Sequence, residues 1–191
     1  MSSLLEDILN YNQAFVSEKL YEPFMTTQFP NKKLVILTCM DTRLKQLLPR
    51  AINLQKGDAI IIKNAGAVIS HPFGSIMRSI IVAIYELGAQ EVLVIGHHNC
   101  GMAKLEANSV LDKAKLRGID QDTLEVLRYS GVNIDAWLKG FTEVEDSVKH
   151  SVDIVKNHPL LPSNIPIHGL IIDPKTGKLD TVINGYQEIL A

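Results

Sequence analysis

Two short segments carry the residues best suited to chemistry. Thr38-Cys39-Met40-Asp41-Thr42-Arg43 joins a cysteine to a nearby carboxylate and guanidinium. Gly96-His97-His98-Asn99-Cys100-Gly101 places two histidines just ahead of the other cysteine. These are the chain's 2 cysteines, 61 residues apart. Two thiolates and one imidazole make the ligand count of a catalytic zinc site, which keeps its fourth tetrahedral position open to water. A closed structural site needs a fourth ligand, and no third cysteine exists. His97 is the favoured ligand because it ends the preceding strand, three residues before Cys100. His98 competes, and spacing alone does not separate them. Asp41 and Arg43 extend the constellation. A carboxylate near zinc can accept a hydrogen bond from bound water, while an adjacent guanidinium holds it off the metal and keeps it ionised.

For these segments to meet, the elements before them must end at one edge. Leu34–Thr38 is a short continuous apolar run, the pattern of a strand buried on both faces of a parallel sheet, and Ala59–Ile62 and Glu91–Ile95 read as a second and a third strand. Between the second and third, Pro72 precedes a helical pattern over Ile76–Leu87 that stops at Gly88. A more polar, largely helical region follows from Met102 to Asn157. Ile167–Ile172 reads as a fourth strand, and Pro174-Lys175-Thr176-Gly177 as a turn into a last one at Leu179–Ile183. This alternation predicts an α/β fold: a mostly parallel central sheet flanked by helices, with right-handed crossovers and an antiparallel C-terminal edge. In such sheets ligands bind at the carboxyl ends of the strands, where both cysteine segments fall.

Residues 1–191 read as one domain, with 1–30 as a helical arm. Ser3 and Glu6 have capping-box spacing, and Leu5, Ile8, Leu9, Phe15 and Val16 recur at helical intervals. That face packs either on its own domain or on a second subunit. The 191 residues are 46% hydrophobic and 21% charged, with a net charge of -2, which argues against the clustered positive charge of a nucleic-acid or anionic-membrane binder. No apolar run approaches the ~20 residues that cross a bilayer. Residues 1–8 show no basic region leading into an apolar stretch, so a cytoplasmic location is the default expectation.

Cys39-X-Asp41-X-Arg43 followed by His97-X-X-Cys100-Gly101 resembles the signature of the β-class carbonic anhydrases. The likeness passes through Lys63-Asn64-Ala65-Gly66 and is strongest over Leu34–Gly101, with a weaker echo at Ile167–Asn184. The resemblance implies one Zn2+ per chain on Cys39, His97 and Cys100, with Asp41 and Arg43 tuning the metal's water. It implies reversible hydration of carbon dioxide to bicarbonate and a proton by zinc-bound hydroxide. Gly101, Ala65 and Gly66 become the expected substrate contacts, and the assembly a homodimer or a multiple of dimers. Thr42 stands where the family usually has serine. Ile36 replaces the tryptophan that some members use for bicarbonate inhibition, so that regulation is not expected here. Ile60, Ile61 and Ile62 make an aliphatic pocket wall, as in the short prokaryotic branch. Two other readings use the same residues: a carbonyl sulfide or carbon disulfide hydrolase, and a non-catalytic zinc or redox-sensing protein switching through Cys39 and Cys100.

Overall fold

The apolar runs become the strands of one sheet. In the computed structural model, which describes residues 2–189, these are β1 (Leu34–Cys39), β2 (Ala59–Asn64), β3 (Glu91–His97), β4 (Ile167–Ile172) and β5 (Leu179–Ile183). Their spatial order is β2-β1-β3-β4-β5. The first four are parallel, and β5 runs antiparallel to β4. Three strands extend past their apolar runs, so that Cys39, Asn64 and His97 are each the last residue of a strand. Cys39 pairs with Asn64 and His97 with Ile172, which sets these residues along the carboxyl edge.

Side chains alternate between two cores, as the period of a strand requires. Val35, Leu37, Val92 and Val94 pack with Met77 and Ile80 of α3 (Ser75–Tyr85) and with Val148, Val152 and Val155 of α7 (Val144–Lys156). Ile36, Ile95 and Ile172 pack with Leu44 and Leu48 of α2 (Leu44–Ala51), and both cysteines join that cluster. Helix α7 lies close to the sheet because Gly96 and Gly169 present no side chain beneath it. A Cβ at Gly96 would stand 2.8 Å from Val148 Cγ2 and 2.9 Å from Val144 Cγ2, and one at Gly169 would stand 2.8 Å from Val148 Cγ1.

The helical region resolves into α4 (Ala107–Leu116), α5 (Gln121–Tyr129), α6 (Ile134–Leu138) and α7. The first three share a small core of Leu111, Leu124 and Ile134. Sequence reading assigned no element between Arg43 and the second strand. Helix α2 stands there with Pro49 inside it, and a proline in so short a segment masks the helical signal. The short α8 (Gly185–Ile189) was likewise unread. The arm is helical as expected: α1 (Leu4–Ser17) starts with a complete Ser3–Glu6 capping box. None of its residues is buried, and Leu4, Leu5, Ile8 and Leu9 face solvent. Among the described residues, no helix is long and apolar enough to cross a membrane.

Candidate metal centre

The parallel pairing of β1 with β3 brings the two cysteine segments side by side. Cys39 Sγ lies 3.8 Å from Cys100 Sγ. Both are free thiols and both are buried. His97 is 1% exposed. Its Nδ1 donates to the His98 carbonyl at 2.9 Å. A carbonyl can only accept, so the proton sits on Nδ1 and the second ring nitrogen presents its lone pair. That atom, Nε2, is buried with no hydrogen-bond partner. The two sulfurs and a histidine nitrogen lie within 4.8 Å of one another, the one such cluster of metal-binding side chains among the described residues.

These residues fit zinc. Tetrahedral bonds of about 2.3 Å to two sulfurs put those sulfurs about 3.8 Å apart. A disulfide would need about 2.05 Å. The orphaned Nε2 is costly in a buried site unless it receives an electron acceptor such as a metal ion. His98, the competing ligand, is exposed and outside the cluster.

Charge inside the centre follows from proximity. Cys39 ionises first: the hydrogen bond from the Cys100 thiol outweighs burial and, with the neighbouring His97 ring and the Asp41 and Gly66 N–H groups, lowers its pKa to about 4. Cys100 moves upward, because it donates to that thiolate and is buried. For His97, burial acts to lower the pKa, but the Cys39 thiolate beside it and the His98 carbonyl that accepts from Nδ1 raise it overall.

Asp41 and Arg43 form a two-pronged pair. Arg43 Nε donates to Asp41 Oδ1 at 2.9 Å, and Nη2 donates to Oδ2 at 2.7 Å. These bonds lower the Asp41 pKa to about 2. A depressed carboxylate pKa means that the ion persists above that value and is lost only as pH falls through it. Asp41 Oδ2 sits 3.8 Å from His97 Nε2, so the carboxylate borders the donor cluster. Arg43 Nη2 also donates to the Asn99 carbonyl at 2.9 Å. Sequence reading missed this link, by which one guanidinium ties the loop after β1 to the loop after β3.

The expected substrate contacts are placed differently from one another. Gly101 is exposed, and a Cβ there would meet nothing within 4 Å. The Gly66 N–H is directed at Cys39 Sγ, 3.3 Å away. Ala65 is half-buried in the same turn. Of the aliphatic wall expected from β2, Ile61 lines a cavity of about 430 Å³ with Met40, Thr42, Leu44 and Lys63, while Ile60 and Ile62 pack against the core on the other face. The wall over Gly66 is a correction to it. Met102 and Phe141 stand there, each within 3.1 Å of where a Gly66 Cβ would be. They come from the region that the sequence left undiagnosed. Gly140 permits this placement, since a Cβ there would collide with the Met102 carbonyl. Ile36, at the position of the regulatory tryptophan, is 0% exposed.

Known proteins match both the sequence and the fold. The family pattern described as carbonic anhydrase spans residues 34–179. "Putative carbonic anhydrase YvdA" of Bacillus subtilis is 62% identical, over 96% of this chain and 93% of its own. The crystal structure of β-carbonic anhydrase isoform I from Trichomonas vaginalis is 39% identical, covers 97% of this chain and 100% of its own, and superposes with a TM-score of 0.85. A carbon disulfide hydrolase of Acidithiobacillus thiooxidans is 30% identical, over 78% of this chain and 76% of its own. With its parallel sheet, its Cys-His-Cys cluster and these relatives, the chain belongs to the β-carbonic anhydrase family.

Proposed function

We propose that the chain is a zinc enzyme that reversibly hydrates carbon dioxide to bicarbonate and a proton. The observation that carries this is the buried, unpartnered His97 Nε2 beside two sulfurs at zinc spacing. Cys39, His97 and Cys100 would hold the ion, and zinc so held supplies Lewis acidity that makes water a nucleophile near neutral pH. The remaining work falls to the chain. Asp41, ionised above about pH 2, accepts a hydrogen bond from the reacting water and turns a lone pair toward carbon. Arg43 keeps both carboxylate oxygens engaged, and through Asn99 it keeps the two loops in register. Met102 and Phe141 limit water on the Gly66 side, which favours a small nonpolar substrate. The Gly101 N–H orients a substrate oxygen, and Ala65 and Gly66 shape the floor of the site. The proton leaves to bulk buffer.

The proposal covers the whole chain as one domain, with residues 1–30 as an arm. The exposed apolar face of α1 supports a homodimer or a multiple of dimers, in which that face is covered by a second copy. A cytoplasmic location is part of the same reading.

Protein purified under reducing conditions should hold one zinc per chain and hydrate carbon dioxide. Cys39→Ser, His97→Ala and Cys100→Ser should each lose the metal. His98→Ala should keep it, because His98 serves His97 through its backbone carbonyl. The relatives named carbon disulfide hydrolase favour a second reading on the same centre. Turnover of carbon disulfide or carbonyl sulfide without carbon dioxide hydration would replace the first reading. A metal-free chain with a reversible Cys39–Cys100 disulfide would replace both.

A further inference from the structure

Ser151 of α7 is 0% exposed and lies more than 80 residues from the groups it bonds. Its hydroxyl accepts from the Ile69 N–H at 3.2 Å and donates to the Ala67 carbonyl at 3.5 Å. A serine inside a helix commonly satisfies itself on the carbonyl four residues back. Ser151 instead reaches across to the turn that follows β2. Gly66 and Ala67 in that turn both have positive φ, 84° and 57°. A non-glycine residue keeps that conformation only where its surroundings over-determine it. The turn is braced on two sides. Ser151 holds Ala67 and Ile69, while Asn64 Nδ2 donates to the Val68 carbonyl at 2.6 Å and its Oδ1 accepts from the Val68 N–H at 3.1 Å. So held, the turn directs the Gly66 N–H at Cys39 Sγ. The depth from which Ser151 reaches is set by Gly96 and Gly169, which let α7 approach the sheet.

We propose that Ser151 is a positioning residue for the metal centre: through Ala67 and Ile69 it fixes the left-handed turn whose Gly66 N–H bonds the Cys39 sulfur, and so sets how much charge that sulfur gives the metal. The proposal rests on the reading that Cys39, His97 and Cys100 hold a metal ion. Hydrogen bonds to a ligating sulfur tune its donor strength, and the groups that make them act without touching the metal.

Cobalt(II) in place of zinc reports on this directly, through its thiolate-to-metal charge-transfer absorption. Ser151→Ala is expected to bind one cobalt per chain with that band moved to longer wavelength, since a sulfur relieved of its hydrogen bond gives up charge more readily. A band at the wild-type position in the folded variant overturns the proposal. Where Ser151→Ala does not fold, Ser151→Cys carries the test, being close in shape with a much weaker donor and acceptor. The same red shift supports the proposal, and an unmoved band defeats it. Unaltered protein that binds no cobalt with thiolate absorption removes the metal reading itself, an outcome distinct from a wild-type band that Ser151 does not influence.

Discussion

Helices α1 and α7 are nearly equal in length, 14 and 13 residues, and they rest on opposite kinds of support. Helix α1 has a full capping box and buries nothing. Helix α7 has no side-chain cap on Glu143, yet buries Val148, Ser151, Val152 and Val155. An isolated helix of this length is marginal in water, and packing of an apolar face supplies most of its stability. The difference separates two jobs. Capping signals say where a helix begins, and burial says where it sits. Helix α7 takes its place from two glycines in the sheet. Helix α1 touches little beyond its own connection, with Phe15 near Phe24 at 6.4 Å between ring centroids.

The largest effect should come from charge placed under α7. Val152→Asp buries a carboxylate with no partner in the core and should cost on the order of 3–5 kcal/mol. A urea midpoint that does not fall would mean that α7 is not held by burial. Gly96→Ala should cost about 2 kcal/mol by forcing α7 outward, lowering Tm by roughly 4–8 °C. An unchanged melting curve would show that Val144 and Val148 yield freely. Ile8→Asp makes the matching change on α1. It should leave the unfolding transition of the separated chain where it was, while sedimentation equilibrium falls to a single 21.2 kDa species. An assembly that survives would take α1 out of the interface. The smallest effect belongs to the cap. Ser3→Ala should cost about 1 kcal/mol locally, seen as roughly 5-fold faster amide exchange at Glu6 with Tm unmoved.

How legible the molecule was in its sequence follows the same division. Leu34–Thr38 was readable because a strand buried on both faces must be largely apolar, and Ile167–Ile172 keeps that pattern except at His168 and Gly169. Ser3 and Glu6 were readable because a cap is local. Cys39, His97 and Cys100 stood out because their chemistry is rare and the strands before them had to end together. Helix α2 was hidden by Pro49. Arg43 was read as a partner of Asp41, but its second bond, to Asn99, depends on which loop the fold sets beside it. The same holds for Met102 and Phe141 over Gly66, and for Ser151 beneath Ala67. Each is an ordinary residue that gains its role from a contact made across the fold, and no local pattern encodes such a contact.

The side-by-side pairing of β1 and β3 also has a consequence in time. A ribosome that has released Cys39 adds 61 residues before the second sulfur exists, a wait of roughly 3 to 12 s at ~5–20 residues per second. Residues of β4, the neighbour of β3 on its other side, emerge later still. Parallel pairing across a long connection is intrinsically slow, because chain closure must precede the contacts that stabilise it. The full set of three donors therefore does not exist in the nascent chain's early life, and Cys39 passes through that interval as a lone thiol. On the proposed reading, metal capture by the complete centre waits at least until Cys100 has left the ribosome.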